Sequence, residues 1–289
     1  MRIVKKIPGP LLIFLGAFFL SFGGLIVKSF ETNSLWKILF WRQIFFSIIV
    51  IFYLFLVYKK KFFKSFFVAG LPGFLAGFIL SIGFSAYVFA MYKTTVANTN
   101  FIIATETIFL ALFGYFFLKE KINMVTFFSI FLGLLGVFLI LGNSVSIQSI
   151  DQFYGNVVAF LMPISFAILV IIIRKYPNVD MVPAQFIAGI FAVAIGYLIA
   201  ESIAISSHDL LLALIAGFFQ VGLGFICITI GSRTTPSAMV GIIMLSESVF
   251  GPLWAWLFIK ESMPITVLFG GTIIIFSILL LGLIKKNKS

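Results

Sequence analysis

The sequence predicts an all-α polytopic membrane protein: ten transmembrane helices arranged as two inverted five-helix repeats. Three observations carry that prediction. Of 289 residues, 62% are hydrophobic and only 10% are charged. The apolar residues fall into ten runs, each near the roughly 20 residues that an α-helix needs to cross a bilayer core. Two of those runs match each other at an offset of 141 residues.

Composition excludes a soluble domain, because water-facing positions must be polar. The ten runs leave no stretch long enough for one. The net charge of +11 invites a nucleic-acid reading, but the basic residues sit in short loops between apolar runs and not on one soluble face. No nucleic-acid partner is expected; the lipid bilayer is. A single cysteine, Cys227, excludes an intramolecular disulfide, and with a single histidine, His208, a His/Cys metal site is not expected. No cofactor is implied. Arg2, Lys5 and Lys6 precede the first run in the manner of a signal peptide. The run continues to Val27 past Phe22-Gly23-Gly24, a weak cleavage site, so we read an uncleaved first helix.

The expected spans are 10–28, 36–58, 66–92, 96–118, 124–142, 155–175, 183–203, 210–232, 236–259 and 265–285. Connections are short, so sequence neighbours run antiparallel. With a cytoplasmic N-terminus, 15 of the 20 basic residues fall inside and four, Lys28, Lys37, Lys93 and Lys260, fall outside. That split follows the positive-inside rule and places both termini in the cytoplasm. Dropping one span scrambles the alternation.

The fourth and ninth spans carry the repeat. Ala97, Ile102, Glu106, Phe109, Leu112, Phe117, Lys119 and Glu120 recur as Ala238, Ile243, Glu247, Phe250, Leu253, Phe258, Lys260 and Glu261. Chance apolar similarity supplies Ile and Phe matches. It does not easily supply two glutamates 14 residues apart in both copies. The offset equals five spans, an odd number, so the second half, 146–289, is inverted relative to the first, 1–145. Lys119-Glu120 then ends its helix inside and Lys260-Glu261 outside, in agreement with the charge count. Inverted halves suit alternating access around a midplane site.

These paired segments, an apolar run, a glutamate, a second apolar run and Lys-Glu, resemble the drug/metabolite transporter superfamily, EamA branch. The resemblance covers essentially the whole chain. It implies cytoplasmic termini, residence in the cytoplasmic membrane of a bacterium, and export or uptake of amino acids or other small metabolites. One departure stands out. Many members of that branch carry proline directly after the motif glutamate, where this chain has Thr107 and Ser248; the ninth span has Pro252 instead.

Glu106 and Glu247 lie about ten residues into their spans, roughly 15 Å deep at about 1.5 Å per residue. A charge at the midplane costs about 2.5–3.5 kcal/mol on insertion scales. The ways out are to face the bundle interior, to find a partner, or to carry a proton. The two acids therefore read either as proton- or substrate-binding groups or as carboxylic acids that hydrogen-bond two helices together, with equal weight. Thr99 shares a helical stripe with Glu106, and Asn98 lies beside it. Trp254 shares one with Glu247, where it reads as a packing tryptophan more than as a platform for substrate. Pro252 frees the carbonyl of Ser248 next to Glu247. Gln220, mid-span in the eighth run, is a solute ligand or interhelical glue. Gly73, Gly77, Ser81 and Ser85 form a close-packing stripe, with Tyr87 near it. Arg42, six residues into its span, is read as snorkelling to the outer surface in preference to binding an anionic group.

The expected function is a secondary transporter for a small polar metabolite, an amino acid or amine, acting as a monomer or homodimer, with protons coupled through Glu106 and/or Glu247. An intramembrane enzyme is disfavoured, because no His, Cys or metal cluster accompanies the two acids. A channel is disfavoured by the repeat. No phosphate-binding glycine loop is present for direct use of ATP.

Overall fold

A computed structural model describes residues 7–142, 147–260 and 265–286, and among them every regular element is helical. The charged terminal residues Arg2, Lys5, Lys6 and Lys288, and Glu261 of the second Lys-Glu pair, lie outside the described residues.

Fifteen α-helices follow one another: α1 Gly9–Leu20, α2 Gly23–Ser29, α3 Leu35–Tyr58, α4 Phe62–Lys93, α5 Val96–Ala104, α6 Glu106–Leu118, α7 Met124–Leu141, α8 Ile150–Ala159, α9 Leu161–Lys175, α10 Val182–Ile199, α11 Ser207–Leu214, α12 Gly224–Ser232, α13 Ser237–Met244, α14 Ser246–Ile259 and α15 Ile265–Lys286. A π-helical segment, Ile215–Leu223, joins α11 to α12. Eight helical stretches are long and apolar enough to cross a membrane, and Ile265–Leu281 is a shorter apolar one. With exposed phenylalanines such as Phe63 and Phe67 on the outside, this is a multi-pass membrane protein.

The stretch Leu35–Lys93 is 59 residues long, but it is not one rod. Lys59 adopts φ 48°, and a 3₁₀ turn, Lys59–Lys61, follows it. Three lysines in a row favour water over lipid at this turn. Past it the chain folds back, so α4 packs against α3.

Four helical stretches are interrupted by a tight turn: at Ser21–Phe22 between α1 and α2, at Thr105 between α5 and α6, at Phe160 between α8 and α9, and at Leu245 between α13 and α14. Each turn residue keeps a right-handed φ, with ψ between −20° and −8°. The local amides shorten their reach to a carbonyl three residues back, as in Thr105 N–H to Ile102 (3.0 Å) and Ser248 N–H to Leu245 (3.1 Å). That is 3₁₀ geometry. It frees backbone groups at membrane depth, which is tolerated where the chain is covered by protein or lines a cavity.

The core is built by close approach. Without a hydrophobic force between helices in lipid, small residues let backbones touch. A Cβ on Gly136 would sit 2.6 Å from the carbonyl oxygen of Gly270, which seats α7 against α15. The glycine stripe of α4 packs as expected: Gly77 meets the Ala184 carbonyl and Ile187 of α10. Phe46, Phe84, Phe166 and Phe225 form an edge-to-face cluster at the centre. Such pairs add roughly 0.5–1.5 kcal/mol beyond burial.

Candidate functional site

A cavity opens beside that phenylalanine cluster. The wall is assembled from seven helical stretches: Leu20 from α1, Arg42 from α3, Phe84 and Tyr87 from α4, Ile103 and Glu106 from α5 and α6, Met162 and Phe166 from α9, Gln220, Val221 and Phe225 from the π segment and α12, and Met244 and Glu247 from α13 and α14.

Both acids sit at helix breaks. Glu106 is the first residue of α6, and Glu247 lies in the first turn of α14. The N-terminus of each half-helix presents the positive end of the macrodipole, which favours a carboxylate there. Thr105 and Leu245 create those two N-termini. Neither position carries proline or glycine, so the breaks are held by packing and not by the residue type. Glu106 is 5% exposed. Neither carboxyl receives a hydrogen bond from another described residue.

Gln220 belongs to the π-helical segment, whose wider turn pushes its side chain inward. Its Nε2 donates to the carbonyl of Leu20 at 3.1 Å. Leu20 ends α1, so the amide satisfies an orphan carbonyl at a helix break while its body lines the cavity. Gly23 makes room for it, since a Cβ there would sit 2.7 Å from Gln220 Nε2.

The structure thus brings Glu106, Glu247 and Gln220 together, and it places the other anticipated residues elsewhere. Thr99 is fully buried and its hydroxyl donates to the Thr95 carbonyl at 3.0 Å. Asn98 belongs to a polar knot between α5 and α8, where its Nδ2 donates to Thr94 Oγ1 (2.9 Å) and Asn156 Oδ1 (3.2 Å). Ser248 lies one residue past Glu247 and outside the cavity wall. Trp254 stacks on Phe22, with ring centroids 4.6 Å apart, and donates to Ser21 Oγ at 2.8 Å. It closes the α1–α2 break as a packing residue.

Arg42 departs from its expected snorkelling. It is only 6% exposed, and it lines the cavity with its guanidinium 5.7 Å from the centre of the Tyr87 ring. The reason is tertiary. A Cβ on Gly217 would sit 2.7 Å from Phe45 Cβ and 2.9 Å from Phe46 N, so the π segment presses against α3 beside Arg42. Tyr87 also faces the cavity.

Away from the cavity, Glu120 accepts from Arg174 and from the Ser237 amide. Lys119 makes this possible. It takes a left-handed φ of 56°, and Glu120 N–H reaches back to the Gly114 carbonyl at 3.1 Å. Lys260 adopts the same conformation, at φ 53°.

Comparison with known proteins follows this geometry. A model of the EamA-like transporter family matches residues 7–142 and 153–283. The chain is 25% identical over 206 residues to an uncharacterized transporter of Clostridium kluyveri, covering 68% of this chain and 66% of that protein. It is 26% identical over 195 residues to an uncharacterized transporter of Methanothermobacter thermautotrophicus, covering 65% and 57%. The chain therefore spans less than two thirds of either relative. A crystal structure shares the fold with TM-score 0.81 over 97% of this chain and 98% of the other, at 15% identity.

Proposed function

Because the chain belongs to the EamA-like transporter family, we propose that it is a secondary carrier moving a small polar metabolite, an amino acid or amine, by alternating access between two inverted five-helix halves, 1–145 and 146–289. The family and the transporter-named relatives support a membrane transporter and point away from an enzyme. The substrate class, the mechanism and the coupling are the proposal.

Ten crossings follow if the Lys59 turn divides Leu35–Lys93 into two passes and α15 supplies the last. The pairing of helices supports two related halves. Under an exchange of crossings one to five with six to ten, the contact of α1 with α12 maps onto that of α9 with α4. The contact of α3 with the π segment likewise maps onto that of α10 with α4. The four broken crossings, first, fourth, sixth and ninth, map onto one another, and so do the left-handed Lys119 and Lys260.

One observation carries the functional reading. Glu106 and Glu247, at matched positions of the two halves, converge on one cavity at the N-termini of two half-helices. Discontinuous helices around a midplane site are a construction that carriers use. Two acids without hydrogen-bond partners among the described residues suit an ammonium group or an exchangeable proton. In the orientation given by charge, Arg42 and Tyr87 lie near the outer ends of α3 and α4. The cavity then faces outward, while the Glu120–Arg174 pair closes the cytoplasmic end.

The test is a solute panel in proteoliposomes, with and without a proton gradient. Saturable counterflow of amino acids or amines is expected. Flux that never saturates with any solute would sink the carrier reading.

A further inference from the structure

Arg42 is a cation in a buried place with no matching anion. Its Nε has no hydrogen-bond partner, and no acid pairs with it among the described residues. Glu106 and Glu247 share its cavity but do not reach ion-pair distance from it. A guanidinium at membrane depth is costly unless paired, and the face of the Tyr87 ring compensates only in part. It does not escape by snorkelling, since the side chain points into the cavity.

We propose that Arg42 is the specificity-determining residue of this cavity, and that the solute supplies the missing anion as a carboxylate. This deepens the carrier reading and rests on it. The planar fork of arginine matches a carboxylate with two parallel hydrogen bonds. One guanidinium suits a monoanion; a phosphate would call for further cations, and the wall offers none. Phe84, Phe166, Met162 and Met244 make the rest of the wall apolar, so the body of the solute is apolar too. With the two acids opposite a solute ammonium, the ligand is an α-amino acid with a large apolar side chain.

The experiment uses the full-length protein, purified in detergent, and three probes. These are L-phenylalanine, phenethylamine, which lacks the carboxylate, and 3-phenylpropionate, which lacks the ammonium; the leucine series repeats the set. The unaltered protein should bind the amino acid at least about tenfold more tightly than the amine, as expected for loss of a charge-assisted bond. Arg42→Met should erase that preference by weakening binding of the amino acid. Arg42→Lys, which keeps the charge but not the fork, should restore only part of it. Equal binding of amine and amino acid by the unaltered protein overturns the proposal whether or not the variants fold, and so does binding of none of the probes. Saturable counterflow of carboxylate-free amines, unaffected by Arg42→Met, would overturn this assignment and leave the carrier reading standing.

Discussion

Arg174 grips Glu120 with a fork: Nε at 2.9 Å and Nη2 at 2.6 Å from the same carboxylate oxygen. The second oxygen of Glu120 accepts the Ser237 amide at 2.8 Å. One acid therefore ties the end of α6 to the end of α9 and the start of α13. Both side chains are about one fifth exposed, so water screens the pair only in part.

In the proposed orientation, Glu120→Ala should loosen this tie and favour opening of the cytoplasmic end. Losing charge-assisted bonds here is expected to cost the closed state on the order of 2 kcal/mol, or about thirtyfold in the equilibrium. The measurement is thiol labelling of Ser232→Cys, placed in a Cys227→Ser background, from the cytoplasmic side. Ser232 is fully buried in the closed arrangement. Labelling no faster in the Glu120→Ala protein would remove the latch.

Glu106→Gln and Glu247→Gln keep the shape of the side chain and remove its ability to exchange a proton. Each variant should assemble and run as the parent does on a sizing column. Each should lose proton-driven accumulation in proteoliposomes. Accumulation at the parent level in both variants would show that neither acid couples transport to protons.

Gly136→Val should separate α7 from α15, because the added carbon meets backbone and not a movable side chain. Overpacking of this kind typically costs about 1–3 kcal/mol. A lowered melting temperature in detergent is expected. An unchanged melt would mean that the two helices are not held together by close backbone contact at this point.

Gln220→Leu removes the donor to the Leu20 carbonyl and leaves an acceptor unpaired at the α1 break. A buried unsatisfied group costs about 1–3 kcal/mol. Reduced thermal stability is expected. A Gln220→Leu protein as stable as the parent would indicate that another group satisfies Leu20.

The apolar runs, the glycine stripe of α4 and the pairing of Glu106 with Glu247 were all legible in the residues. Helical spacing was less useful for the site. It put Thr99 and Trp254 on stripes with the two acids, yet neither lines the cavity: the break at Thr105 separates Thr99 on α5 from Glu106 on α6, and Trp254, on the same half-helix as Glu247, is taken up by Phe22 and Ser21. Arg42 was misread for a related reason. Distance from a span end suggests that a side chain can snorkel, but it does not say which neighbour blocks the way.

By itself, the sequence determined that this chain lives in a bilayer, and it set the expectations of which side its loops favour and of a five-helix unit that occurs twice with an acid at the same depth. Those properties depend on transfer of residues between water and lipid and on counting, so they survive in a linear string. Only the tertiary structure decided which faces of the helices form the cavity, where the helices break, and that Arg42 and Gln220 look inward. Helices that are apolar all round carry no stripe to orient them. Their rotation is set by where small residues let backbones touch, and that depends on partners far away in the chain.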